Sequence, residues 1–155
     1  MDENALAYME GFFMALADKT RLRLLNLMRD QEICVCFFTE VLGESQPKIS
    51  RHLAYLRNAG LVETRRDGKW MHYSIIWPED DGQRSVLEKT LAWLDRNADM
   101  KSDRERYTSI CCSPEELVQI ARTPMPFIEG FHEKPRAEQP KPIHKHHNEL
   151  EEFLL

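Results

Sequence analysis

Gly43-Glu-Ser-Gln-Pro-Lys-Ile-Ser-Arg-His-Leu-Ala-Tyr-Leu-Arg-Asn-Ala-Gly60 decides the fold. Pro47 to Asn58 reads as a helix, because Ile49, Leu53 and Leu56 recur at i, i+4 and i+7 on one face of a 3.6-residue period. Ser45 is its expected N-cap, and Pro47 falls in the first turn, where no helical N–H is lost. Gly60 closes the helix just past its C-cap. Upstream, Phe37-Phe-Thr-Glu-Val-Leu42 is a shorter amphipathic turn, broken off by Gly43-Glu-Ser-Gln46. Downstream, Leu61–Arg65 reads as a strand, and Asp67-Gly68 signals a hairpin returning through Lys69–Ile76. In the return strand Met71, Tyr73 and Ile75 alternate with Trp70, His72 and Ser74, so the first three face the core. Two short helices around a glycine turn, followed by a hairpin, form the plan of a winged helix-turn-helix. The fold class expected is mainly α with a small β-hairpin.

Helical patterns flank this unit. Asn4–Ala17 carries Leu6, Met9, Phe13 and Leu16 at helical spacing, with Tyr8, Phe12 and Met14 on other sides. A second helix, capped by Asp18 or Thr20, runs to about Arg29 with Leu22, Leu25 and Met28 in one stripe. Gln83–Ala98 is a fifth helix whose apolar surface, including Val86, Leu87, Leu91, Trp93 and Leu94, is again wider than one stripe. A surface helix needs only one apolar stripe, so the first and fifth helices are expected to build a two-fold dimer. After Ala98 the composition changes. Asp99–Tyr107 reads as a charged linker or frayed helix, and Ser113-Pro-Glu-Glu116 as a capping box opening a short helix, Glu115–Arg122. The prolines and the His144, His146 and His147 cluster beyond it read as an irregular, solvated tail. The division expected is residues 1–98, a DNA-binding and dimerisation domain, and 99–155, a C-terminal extension.

The totals narrow the class. The chain has 155 residues, 42% of them hydrophobic, enough for one modest core plus an appendage. It shows no apolar run near the ~20 residues of a membrane span and no signal-peptide pattern at its start. A cytoplasmic protein is the simplest expectation, with its four cysteines reduced. They fall in two close pairs, Cys34/Cys36 and Cys111/Cys112, which suggests metal or redox chemistry before structural disulfides. The formal net charge is −5, yet Ser45–Lys69 holds six basic and two acidic residues. A locally basic face on an acidic chain suits DNA binding with little background association.

With Ile49, Leu53 and Leu56 buried, Gln46, Lys48, Ser50 and Arg51 project from the start of the second helix of the motif. Gln pairs with adenine and Arg with guanine in the major groove, and Ser tolerates either base. Arg65, Arg66 and Lys69 straddle the hairpin tip, placed for phosphates or the minor groove. His52 sits beside buried Leu53 and reads as packed, not as a base reader. The partner expected is operator double-stranded DNA.

Ala15-Leu-Ala-Asp-Lys-Thr-Arg-Leu-Arg-Leu-Leu25, Cys34-Val-Cys36, Ser45-Gln-Pro-Lys-Ile-Ser-Arg-His-Leu53 and Gly60-Leu-Val62 together resemble the arsenical-resistance-repressor (ArsR/SmtB) family. The resemblance covers roughly residues 5–98. It implies a dimeric repressor that leaves DNA on binding a metal or metalloid, with Cys34-Val-Cys36 at the sensor position. Two departures stand out. Phe37 replaces the family's usual Asp, and Phe38, Thr39 and Glu40 stand where well-known arsenic sensors carry a third cysteine. The fifth helix has no histidine, so the family's zinc site at that position is missing.

In a regular helix, residues i and i+2 point about 200° apart. Cys34 and Cys36 can therefore share one ion only at a helix start or in extended chain. Trivalent arsenic takes three thiolates in a pyramid, and Cys111 or Cys112 is the available third donor; tetrahedral zinc or cadmium would use all four. Placed before a capped helix N-terminus, Cys111 and Cys112 would be favoured as thiolates. An extended Ala98–Ile110 linker could reach ~40 Å to deliver them. The expected inducer is As(III), with Sb(III), Cd(II) or Zn(II) as alternatives, and a thiol redox or persulfide sensor as a second reading. A thiol enzyme such as an arsenate reductase would need a Cys-x5-Arg phosphate loop, but Leu42 and Val118 stand where the arginine would be.

Overall fold

The computed structural model describes residues 3–112. The expected helix Glu115–Arg122 and the proline- and histidine-rich stretch lie outside the described residues. The chain order is α1 (Glu3–Leu16), α2 (Lys19–Met28), β1 (Ile33–Cys34), α3 (Val35–Leu42), α4 (Gln46–Asn58), β2 (Val62–Asp67), β3 (Trp70–Ile75), α5 (Asp81–Leu94) and α6 (Ala98–Cys112).

The helix-turn-helix is α3 and α4. Leu42 ends α3 because Gly43 takes a left-handed φ of 66°, a backbone that costs an L side chain energy, and its N–H returns to Thr39 O at 3.0 Å. Ile49, Leu53 and Leu56 of α4 are completely buried, as their spacing requires. They meet Leu24 and Leu25 of α2, Phe38 and Val41 of α3, and the inward residues of the wing in one core. Asp18 caps α2 by accepting from Arg21 N at 2.9 Å. Arg21 then reaches back, donating to Ala15 O and Met14 O, both at 2.8 Å, and closing the carbonyl end of α1. Its guanidinium lies 4.2 Å from the Tyr55 ring centroid on α4, so one side chain joins three helices.

The wing differs from a simple hairpin. Its sheet has three antiparallel strands in the order β1-β3-β2, the third strand being Ile33–Cys34 paired with Tyr73 and His72. β2 runs on through Asp67, which pairs with Trp70, so the two-residue loop is Gly68–Lys69, one residue later than expected. Gly68 has φ 57°, the positive value that tight hairpin turns need. Met71 and Tyr73 are buried as the alternation predicted.

The C-terminal part brings two corrections. α5 is shorter than Gln83–Ala98: Asp80 caps it by accepting from Gln83 N at 2.8 Å, and it stops at Leu94. There Asn97 acts as a cap, its Oδ1 accepting from Asp99 N (2.9 Å) and Met100 N (3.2 Å), and a new helix starts. The charged stretch Asp99–Tyr107, expected as a linker or frayed helix, is the body of α6. It is held to α2 by polar side chains. Arg23 grips Asp103 in a fork of two 2.7 Å bonds, and Asn26 Nδ2 donates to Met100 O at 3.0 Å. Arg29 at the end of α2 pairs with Asp95 and donates to Leu91 O.

Asp103 is 5% exposed, so its charge depends on Arg23 for compensation. Asp103→Ala should lower stability by about 2–3 kcal/mol, since it strands a half-buried guanidinium and removes two charge-assisted bonds. Urea unfolding followed by circular dichroism measures this, and amide exchange should show α6 losing protection first. A change below ~0.5 kcal/mol would mean the fork is a surface ion pair.

Candidate thiol site and nucleic-acid interface

Cys34 is at once the last residue of β1 and the N-cap of α3, with extended backbone at φ −69° and ψ 141°. Cys36 lies two residues on, inside the first helical turn. The change from strand to helix between them removes the i, i+2 obstacle, and Cys36 Sγ donates to Cys34 Sγ across 3.0 Å. The hydrogen bond from Cys36 is the largest influence on Cys34 and holds its thiol down to about 7, against the opposing effect of burial. Backbone groups of Cys36, Met71 and Val35 add to the lowering. Cys36 moves the other way: its proton is committed to Cys34, and burial and the neighbouring charge push it well above the ordinary thiol range. The pair therefore loses its first proton near neutrality and keeps the second.

The cysteine expected as third donor lies on α6. Cys111 lies in the last turn of that helix, not in a loop before a helix, and is partly buried as a free thiol. The Ser113 capping box and the Cys112 side chain lie outside the described residues. One turn before Cys111, Tyr107 meets Phe37 edge to face, with ring centroids 5.6 Å apart and planes at 80°. Burial first, then a hydrogen bond with the Cys111 side chain and the nearness of Cys34 and Cys36, raise the Tyr107 phenol above its usual range. Tyr107 thus stands against Phe37, the residue after Cys36, and one helical turn before Cys111. Among the described residues no three His, Cys, Asp or Glu side chains already form a ligand cluster. The geometry is a preformed Cys34/Cys36 pair, with Cys111 on the neighbouring helix α6.

The basic surface divides into engaged and open groups. Gln46 Nε2 donates to Ser50 Oγ at 2.8 Å, and Lys48 Nζ to Glu44 Oε1 at 2.8 Å. Arg51 is exposed and makes no hydrogen bond or ion pair among the described residues. His52 is partly buried, with Nδ1 3.4 Å from Asp18 Oδ1, in keeping with a packed side chain. Burial is the chief cause that lowers its pKa, against the attraction of Asp18. At the wing tip, Arg66 Nε donates to Gly68 O at 3.0 Å and Lys69 lies 5.0 Å from the Trp70 ring centroid. Arg65 is not at the tip. Glu32, two residues before Cys34, holds it with bonds of 2.6 and 3.0 Å. His72 Nδ1 stands 3.8 Å from the same carboxylate. Sequence reasoning missed Glu32 and Tyr107. The signal for Tyr107 was its i, i+4 spacing to Cys111.

A winged helix-turn-helix with a basic reading helix and a thiol pair at its entrance defines a DNA-binding regulator. The chain belongs to the ArsR family: the model "Bacterial regulatory protein, arsR family" matches residues 18–64. It is similar to Arsenic resistance transcriptional regulator ArsR1 of Pseudomonas putida, 45% identical over 92 residues, 56% of this chain and 71% of that protein. ArsR2 of the same organism is 38% identical over 108 residues, covering 64% of this chain and 94% of the relative. The Arsenical resistance operon repressor of Escherichia coli is 52% identical over 64 residues, 41% of this chain and 55% of that one. Among solved structures, HlyU from Vibrio cholerae superposes with a TM-score of 0.52 at 29% identity, over 60% of this chain and 97% of that chain. The protein is an ArsR-type transcriptional repressor, not an enzyme. No helix among the described residues is long and apolar enough to cross a membrane.

Alkylation of the reduced protein by iodoacetamide should accelerate as pH rises, with a midpoint of about 7 assigned to Cys34. The sign follows from the lowered value: Cys34 is thiolate above that midpoint and thiol below it. Cys36→Ala removes the donor, so the midpoint should rise toward ~8.5. An unmoved midpoint would show that Cys36 does not activate its neighbour.

Proposed function

We propose that this chain is a metalloid-responsive repressor that binds operator DNA as a homodimer and releases it when Cys34, Cys36 and a thiolate from Cys111 or Cys112 bind trivalent arsenic. The observation that carries the reading is the 3.0 Å Sγ–Sγ pair at the junction of β1 and α3. Two soft donors are close enough to chelate one ion, and the first proton leaves near physiological pH. The chain's similarity to arsenic-resistance regulators supports the same inducer. Residues 1–98 serve as the DNA-binding and dimerisation unit, and 99–155 as the extension bringing the third thiol. α6 lies against α2 and α3, so Cys111 comes by helix packing instead of a ~40 Å extended reach.

The chemistry is ligand exchange. Each thiol sulfur that bonds to arsenic displaces one hydroxide of arsenous acid, which leaves with the thiol proton as water, and no electrons are transferred. Cys34 must stay extended to share the ion with Cys36, so occupancy constrains the residue that ends β1 and caps α3. One of these elements belongs to the wing sheet and the other packs on the reading helix. Antimony, cadmium and zinc are the alternative inducers on the same donors, and reduced thiols place such a sensor in the cytoplasm.

Dimerisation would cover an apolar surface otherwise left in water. Leu6 is 62% exposed and Trp93 74%, with Tyr8, Phe13 and Met14 of α1 also exposed. Two reading helices related by a two-fold axis require an inverted repeat.

Arsenite should release the reduced protein from its operator, with antimonite, cadmium, zinc and hydrogen peroxide run beside it in fluorescence anisotropy. Cys34→Ser and Cys36→Ser should bind operator as well as the wild type but fail to dissociate, because a useful switch needs ~1–3 kcal/mol of coupling. Dissociation of either variant at the wild-type arsenite concentration would sink the thiol reading, and release by peroxide alone would favour a redox sensor. Separately, Arg51→Ala should cost ~1–3 kcal/mol on operator and little on random DNA if it reads guanine. Arg66→Ala should weaken both alike and flatten the salt dependence. Equal losses on both DNAs for Arg51→Ala would make it a phosphate contact.

A further inference from the structure

Tyr107 belongs to no part of the mechanism so far, yet it packs on Phe37 beside the thiol pair and lies on the helix that carries Cys111. The inner face of α6 carries Met100, Asp103, Tyr107, Ile110 and Cys111, at successive offsets of 0, 3, 7, 10 and 11 residues. Met100 and Ile110 are buried, and Asp103 is locked in the fork with Arg23, so this face is held in place above and below the tyrosine. Its ring stands edge-on to Phe37, the residue directly after Cys36. Its side chain stands one helical turn before Cys111, at the i, i+4 spacing that brings two side chains together on one face of α6. A ring that only filled space against Phe37 would serve equally well as phenylalanine. A partly desolvated hydroxyl needs a partner, and the side chain within i, i+4 reach is the candidate ligand Cys111.

The geometry points to Tyr107 as the positioning residue of the sensor: its ring docks α6 on α3 through Phe37, and its hydroxyl holds the Cys111 sulfur toward the Cys34/Cys36 pair. This role rests on the three-thiolate reading above. When the third sulfur replaces the last hydroxide on arsenic, its proton leaves as water and the O–H of Tyr107 donates to the coordinated sulfur. That bond orients the ligand and stabilises its negative charge, the part that outer-shell donors play at metal sites. It also orders the reaction: the preformed pair captures the arsenic first, and the tyrosine supplies the third donor from the neighbouring helix. Occupancy then ties α6 to the start of α3 by covalent bonds where the free protein has an aromatic contact.

The test uses the full reduced chain with arsenite as the probe. Three quantities are measured: arsenite affinity by calorimetry, arsenic–sulfur coordination number by X-ray absorption, and Tm. Tyr107→Phe keeps the ring and its stack, so Tm should hold within a degree or two. Arsenite affinity should fall roughly 10–100-fold, the usual effect of losing an outer-shell partner, and the sulfur count should drop from three toward two. Phe37→Leu should weaken affinity while keeping the hydroxyl, because the dock is lost. The control is the double variant Cys111→Ser/Cys112→Ser. If it keeps three sulfurs and wild-type affinity, the third-thiolate reading itself fails. If the double variant loses the third sulfur while Tyr107→Phe keeps three sulfurs and wild-type affinity, Tyr107 only packs, and this inference is overturned.

Discussion

The whole arrangement at the thiol pair depends on Cys34 being extended. Its backbone is held so because Cys34 pairs with His72 as the outer strand of the wing sheet. The next residue begins a helix, and that abrupt change brings two sulfurs together which a continuous helix would have pointed apart. The same constraint sets the electrostatics. At the mouth of α3 the thiol pair meets backbone N–H groups and the positive end of the helix, and Cys36 gives its proton to the bond. A two-residue strand is too short to be stable alone. It survives as the third strand of the sheet, with Ile33 buried at 1% exposure.

The motif itself was legible because its signals are local and redundant. Ile49, Leu53 and Leu56, Pro47 in the first turn, Gly60 and the Gly68 turn all point to the same structure. What escaped was non-local. Ile33–Cys34 is too short for a period of two to appear, and its partner lies about forty residues on in β3. The hairpin loop was read one residue early because Asp-Gly reads as a turn pair, although Asp67 still pairs with Trp70. α6 escaped for another reason. Its inner face is anchored by Asp103, and the hydrophobic pattern counts a carboxylate as solvent-facing even when Arg23 neutralises it. Asn97 was passed over as a cap, so one long helix was read where the chain turns and starts another.

The thiol residues show the same division. Cys34 and Cys36 were legible, both from their spacing and from the resemblance their neighbours carry. The stretch leading to Cys111 was read as an extended linker, whereas it is the helix α6, packed on α2 and α3. The difference matters for affinity, because a thiol on an anchored helix has already lost the conformational freedom that a tethered one would surrender on binding. Phe37 gains meaning in the same way. At the sequence level it was only a departure from the family's Asp, and in the fold it is the surface on which Tyr107 rests.

One rung of the sheet connects the chemistry to the DNA-facing side. Cys34 pairs with His72, and His72 pairs with Arg65, so a cysteine of the thiol pair, a histidine and a wing arginine stand side by side across β1, β3 and β2. Glu32 completes the rung. It precedes Cys34 by two residues, grips Arg65, and is itself held below the usual carboxylate range by that arginine. An exposed ion pair of this kind adds little to stability because water and salt screen it. That weakness suits a regulator, since a pair that is cheap to break can be exchanged for a phosphate without unfolding the wing. Arg65 is held by the carboxylate of Glu32, the residue just before β1, and a DNA phosphate would be a competing partner. On the proposed reading, a movement of β1 on ligand binding would change how far Glu32 competes with a phosphate, a coupling that needs no long relay.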